Sequence, residues 1–288
     1  MAEPLIGDVS DTSFWIAHHR ALETARPDAL FRDPLAAGLA GERGAKIAEA
    51  MPMPRVIGWN VVIRTCIIDD FILRAIDEGV DTILNLGAGL DTRPYRMNLP
   101  ASLRWIEADY PHIIEYKENL LANEPPRCRL ERVKIDLADV AARRELFARV
   151  NAQAGGILVL TEGVVPYLSV EQAASLADDL RVLDRARYWL VDYFSPRAVK
   201  YRHSRKMGRR MQNAPFKFSP GDWFAFFRQH GWQPKAIRYL TDEGERLHRP
   251  IPLPWFVKAV IRVWGQFVPK QRRDALRKFA GYVLLEPS

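Results

Sequence analysis

The stretch DTILNLGAGLDTRPYR, Asp81 to Arg96, runs an apolar segment straight into Gly87-Ala88-Gly89. Two glycines one residue apart permit a tight turn at the end of a strand and let the backbone approach a ligand closely. Asp109 closes the next apolar segment, LRWIEAD, 20 residues after Gly89 (109 − 89). A carboxylate at that place accepts hydrogen bonds from the two hydroxyls of a ribose, so a nucleoside is the expected ligand. A dinucleotide-binding turn would carry Gly or Ala at position 92, where this chain has Thr92 preceded by Asp91. An acidic neighbour repels a pyrophosphate but tolerates a cation. S-adenosylmethionine, with its sulfonium and its ammonium, therefore fits better than NAD.

Few other chemistries are open. Cys66 and Cys128 stand alone, without CxxC or Cys/His spacing, so neither a disulfide framework nor a zinc site is expected. The N-terminal MAEPLIGDVSDTSFW carries acids rather than a basic leader, and no run of about 18 uncharged apolar residues follows. A reducing cytoplasm is the expected location. The net charge of +7 over 288 residues gathers late, in KYRHSRKMGRR and KQRRDALRKF. Such runs serve as solvated helical faces or as contacts with an acidic partner. Without interleaved aromatics they do not amount to an RNA-binding signature.

The elements that must position Gly87 and Asp109 are short apolar runs alternating with helical patterns. Seven candidate strands appear: TILNLG, LRWIEAD, RLERVKID, GILVLTEG, RYWLVDYF, PKAIRYL and GYVLLEP. Helix-like stretches such as PHIIEYKENLLA and LSVEQAASLADDLRVLD lie between them, the second with Ser169 as N-cap and Gln172 three residues on. This alternation predicts an α/β fold, a mainly parallel sheet with helices on both faces. Residues 1–75 read as a helical cap integral to the domain, 76–195 as the nucleoside-binding core, and 196–288 as a substrate-side segment. That last segment holds a helical insertion ahead of the final strand. Within it, WFVKAVIRVWGQFV sets Lys258, Arg262 and Gln266 at four-residue spacing on an otherwise apolar helix, either packed on the body or acting as a lid over a greasy acceptor.

The blocks NLGAGLDTRPYR, EADYPHIIEYK and VLTEGVVPYLSVEQAASL resemble those of the leucine carboxyl methyltransferase family. The likeness is greatest to its bacterial branch of S-adenosylmethionine-dependent O-methyltransferases of polyketide and other secondary metabolism. RALETARPDALFRDPLA and RTCIIDDFI are similar to that branch as well, and the likeness spans residues 15–195. It implies a class I, Rossmann-like methyltransferase sheet of seven strands. It also implies that Arg64 grips the ligand carboxylate, as a guanidinium can do bidentately, with Arg20 reaching the same group. Gly87, Ala88 and Gly89 would form the turn under the methionine end. Asp109, followed by Tyr110, would hold the ribose, Asp136 and Leu137 would meet adenine, and Glu162 would face the ammonium.

The implied reaction is an in-line displacement in which an acceptor oxygen attacks the sulfonium methyl, with positioning as the enzyme's main work. A carboxylate acceptor needs no general base, whereas a hydroxyl benefits from one. Tyr167, Tyr193 and His203 are candidate substrate-side residues, and Asp192, His18 and His19 are further titratable groups near the expected site. None is singled out as the base. Arg96 is expected to brace the turn by pairing with Asp91. The shorter, bacterial-type chain favours a small, hydrophobic acceptor over a protein, with the late basic residues as candidates for contact with a membrane surface or an acidic substrate group. An NAD-dependent oxidoreductase, or a basic nucleic-acid-binding protein or RNA methyltransferase, is the alternative reading.

Overall fold

The computed structural model describes residues 6–202, 212–255, 257 and 269–288. His203 and the insertion residues Lys258, Arg262 and Gln266 lie outside the described residues. The strands are β1 (Thr82–Leu86), β2 (Arg104–Asp109), β3 (Arg129–Lys134), β4 (Ile157–Thr161), β5 (Ala186–Phe194), β6 (Trp232–Tyr239) and β7 (Ala280–Pro287). The helices are α1 (Asp11–Thr24), α2 (Ala36–Ala50), α3 (Pro54–Asp77), α4 (Arg93–Arg96), α5 (Pro111–Leu120) and α6 (Val140–Gln153). They continue with α7 (Val170–Arg181), α8 (Pro196–Arg202), α9 (Trp223–Gln229), α10 (Leu240–Arg246) and α11 (Lys270–Arg277).

Every position of β1 and of β4 is buried, as a strand covered on both faces requires. Successive residues then serve opposite layers. Ile83, Trp105, Leu158 and Leu160 pack under α3, through Ile63, Ile67, Phe71 and Ile72. Leu84, Leu86, Val159 and Trp189 pack on the other face with Phe147 of α6, Leu176 and Leu180 of α7, and Phe227 of α9. The strand order is β3-β2-β1-β4-β5-β7-β6. Neighbours are parallel except that β7 runs antiparallel to both β5 and β6.

Of the three helices ahead of β1, α3 lies flat on the sheet. The other two, α1 and α2, pack on each other and on α5 through Phe14, Trp15, Leu39, Ile47 and Ile113. They approach closely because Gly44 has no side chain: a Cβ there would sit 2.5 Å from the Phe14 carbonyl oxygen. The start of α7 has the expected reciprocal cap, Ser169 N donating to Gln172 Oε1 at 2.9 Å and Gln172 N to Ser169 Oγ at 3.2 Å. No helix among the described residues is long and apolar enough to cross a membrane.

Candidate functional site

The carboxyl ends of β1 to β5 open onto a cavity of about 670 Å³, closed from the other side by α1, the first half of α3 and residues 279–282. Open parallel sheets bind ligands at this edge. The turn after β1 is left-handed at both glycines, with φ of +65° at Gly87 and +47° at Gly89. Asp109, at the end of the neighbouring strand, holds it in place: Oδ2 accepts from Gly89 N at 2.6 Å and Oδ1 from Tyr110 N at 2.7 Å. Burial pushes the Asp109 carboxyl up, against the lowering effect of these two amides. Each oxygen keeps a second lone pair for a ligand hydroxyl.

A Cβ at Gly87 would fall 2.4 Å from Val164 Cγ2. Gly87→Ala should therefore combine backbone strain with a clash and cost about 2–4 kcal/mol of stability. Urea unfolding measures this, and a loss below about 1 kcal/mol would mean that the loop after β4 yields freely.

Beside the turn lies a buried chain of charges. Glu162 takes Arg64 Nη2 on Oε1 and Arg93 Nη1 on Oε2, both at 2.8 Å. Arg93 also reaches Asp91 Oδ2 at 2.9 Å and, through Nε, Asp69 Oδ1 at 2.7 Å. Arg96 closes the chain on Asp69 at 2.7 Å. The expected partner of Asp91 is thus corrected: Arg93 pairs with it, and Arg96 turns to Asp69. Three arginines here face three carboxylates. Burial alone would raise the carboxyls, but Arg93 on Asp91 and Glu162, and Arg96 on Asp69, outweigh it and hold all three below their usual range.

Depressed values of this kind contribute stability that is present above the ordinary carboxylate range and lost as pH falls through the depressed values. Melting temperatures followed by calorimetry should drop steeply below about pH 4. The drop should depend little on salt, because the pairs are buried.

The remaining expected site residues are distributed as follows. Asp136, Leu137 and Tyr110 line the cavity beyond β2 and β3, with Asp136 Oδ1 accepting from Ala138 N at 2.9 Å. Arg20 also lines it, but donates through Nε to Asp33 Oδ2 at 2.7 Å and through Nη2 to the Leu90 carbonyl at 2.5 Å. Thr92 joins the same Asp33 oxygen at 2.6 Å, so α1 is tied to the glycine loop. Tyr167 is on the wall, its ring edge-on to Phe216. Tyr193 is not brought to this cavity: it packs among Trp223, Phe224 and Tyr239 on the opposite face of β5, against a smaller cavity of about 220 Å³. His19 is buried and accepts from Trp15 Nε1 at 2.9 Å, and neither it nor His18 is on the wall. Among the described residues no group of His, Cys, Asp and Glu could hold a metal ion.

A family model described as leucine carboxyl methyltransferase matches residues 13–181. The chain belongs to the leucine carboxyl methyltransferase family. A proposed S-adenosyl-L-methionine-dependent methyltransferase of Frankia alni is 30% identical over 266 residues, covering 84% of this chain and 90% of the relative. One from Parafrankia sp. is 31% identical over 288 residues, covering 93% and 87%. A crystal structure of a proposed methyltransferase from Thermobifida fusca superposes with a TM-score of 0.56 at 14% identity, covering 95% of this chain and 94% of that one. The fold is thus the seven-stranded class I methyltransferase fold that the sequence led us to expect.

The residues of this methyltransferase fit the family's sulfonium cofactor on three counts. Arg64 Nε is buried without a hydrogen-bond partner, a donor left over for a ligand carboxylate. The cradle at Gly87 and Gly89 disfavours a side chain, since both φ are positive and a Cβ at Gly87 would meet Val164 Cγ2 at 2.4 Å. Asp109 keeps acceptor capacity at the cavity edge of β2. The sequence reading missed Arg93, Asp69, Asn85, whose Nδ2 donates to Asp91 Oδ2 at 2.9 Å, and Tyr282. Arg93 opens α4 two residues after Asp91 with Pro94 behind it, yet nothing in that spacing separates it from Arg96 as the partner of Asp91.

Proposed function

We propose that this S-adenosylmethionine-dependent methyltransferase transfers a methyl group to an oxygen, of a carboxylate or a hydroxyl, on a small hydrophobic acceptor such as a polyketide or lipid. The observation that carries this reading is the two-sided cavity. Its strand-end wall bears the glycine turn, Asp109 and Glu162, while the rest of the lining is largely apolar, with Ile57, Phe216, Leu240 and Phe279.

In this reading Arg64, with Arg20 behind it, holds the carboxylate of the methionine part, and Glu162 meets its ammonium. Gly87, Ala88 and Gly89 bring backbone against it. Asp109 and Tyr110 take the ribose, and Asp136 with Leu137 the adenine. When bound, the cofactor supplies an electrophilic methyl on a sulfonium. The apolar wall excludes water and holds the acceptor oxygen in line, which is most of the catalytic task. Residues 196–288 contribute the acceptor side, with Tyr167 from the loop after β4. Cys66 and Cys128 are free thiols, in keeping with a reducing cytoplasm.

Calorimetry of S-adenosylmethionine with the native chain tests the reading, followed by label transfer to carboxylic acids and phenols. A single saturable site is the expected result. A folded chain that binds none would overturn it.

A further inference from the structure

Asp192 sits on the cavity wall near the end of β5 and is 3% exposed. Its Oδ1 accepts from the hydroxyl of Tyr282, its register partner on β7, at 2.9 Å. Its Oδ2 accepts from Gly163 N at 2.8 Å. The charged and titratable groups facing it are Arg64 from α3, Glu162 after β4 and Tyr282 from β7. Asp69, Asp91 and Glu162 each have an arginine within ion-pair distance. Asp192 has no such pair with any described lysine or arginine. Arg64, the cation that acts on it electrostatically, is already held by Glu162 at 2.8 Å.

Keeping an unpaired carboxylate in so dry a place is costly, and each of its oxygens retains an unused lone pair. Burial raises this carboxyl to about 6, against the lowering influence of Arg64, Gly163 and Tyr282. A group with these properties beside a cavity suits proton transfer near neutral pH.

We propose that Asp192 is the general base of the reaction, with Tyr282 as its positioning residue, and that the acceptor is an alcohol or phenol. The proposal rests on the methyltransferase reading above and narrows it. Asp192 takes the acceptor proton as the O–H bond breaks. The oxygen uses that electron pair to form the new O–CH3 bond, and the S–CH3 pair stays on sulfur, leaving a neutral thioether. One carboxylate and one sulfonium charge disappear together, so charge balances. A carboxylic acid, ionised at neutral pH, would offer no proton and would set a second anion against Asp192.

Infrared titration of the ligand-free chain comes first. A carboxylic C=O band should grow in as pH falls through about 6. It should be missing in Asp192→Asn and should appear at higher pH in Tyr282→Phe, which removes a donor to the anion. Calorimetry at pH 7.5 with S-adenosylhomocysteine bound follows, using 2-naphthol and 2-naphthoate as probes. The native chain should prefer the phenol by about tenfold or more, and Asp192→Asn should abolish that preference. Equal binding of the two probes, binding of neither, or a preference and an infrared titration unchanged in the variant overturns the assignment. Failure of S-adenosylhomocysteine itself to bind sinks the methyltransferase reading along with it.

Discussion

Asp109→Ala should lower S-adenosylmethionine affinity about 100-fold or more, enough to erase a calorimetric isotherm from a micromolar site. Two hydrogen bonds from ribose hydroxyls to an ionised carboxylate contribute about 1.5–3 kcal/mol each. Losing both amounts to roughly 3–6 kcal/mol, and each 1.4 kcal/mol is tenfold in affinity. The substitution also strips the acceptors of Gly89 N and Tyr110 N, so the turn itself loosens. Asp109→Asn should fall between the two, since its amide can present only one oxygen and must aim a donor at one of those amides. Circular dichroism of the variant separates a lost site from a lost fold. An affinity within threefold of the native value would remove Asp109 from the site.

Arg93→Leu should cost about 3–5 kcal/mol in folding stability, the range for removing one partner from a buried ion pair. The guanidinium is 3% exposed and is shared by Asp69, Asp91 and Glu162. Its removal leaves Asp91 without a cation among the described pairs, with only Asn85 Nδ2 and Arg93 N still donating to it. Glu162 retains Arg64, and Asp69 retains Arg96. Arg93→Lys should rescue little, because a single ammonium cannot reproduce a planar fork that bonds in three directions. Urea denaturation measures the loss, and a value under about 1 kcal/mol would mean that solvent reaches the network.

The elements were legible because burial on both faces forces uniform apolar runs, as in β1 and β4. Their order in the sheet was not, since the place of β7 between β5 and β6 depends on pairings such as Asp192 with Tyr282, 90 residues apart. Gly87, Gly89 and Asp109 could be proposed from spacing because the turn and the next strand end are neighbours on adjacent parallel strands. Arg93 could not: beyond Asp91 its partners lie 24 residues back and 69 residues on. Arg93 and Arg96 stand one turn apart on α4, and nothing local says which of them reaches Asp91. Parity separates Asp192 from Tyr193, since successive strand residues face opposite layers. The sequence alone does not tell which layer holds the cavity.

The position of β7 bears on how the protein matures on the ribosome. Chains are made from the N-terminus, and β6 emerges before the strand that will join it to β5. Until β7 emerges, the nascent sheet ends at an open β5, and β6 waits with no neighbour. Tyr282 arrives with β7, so Asp192 gains its hydroxyl partner only in the closing step. However early the glycine turn forms, the pocket is not complete until β7 has docked between β5 and β6.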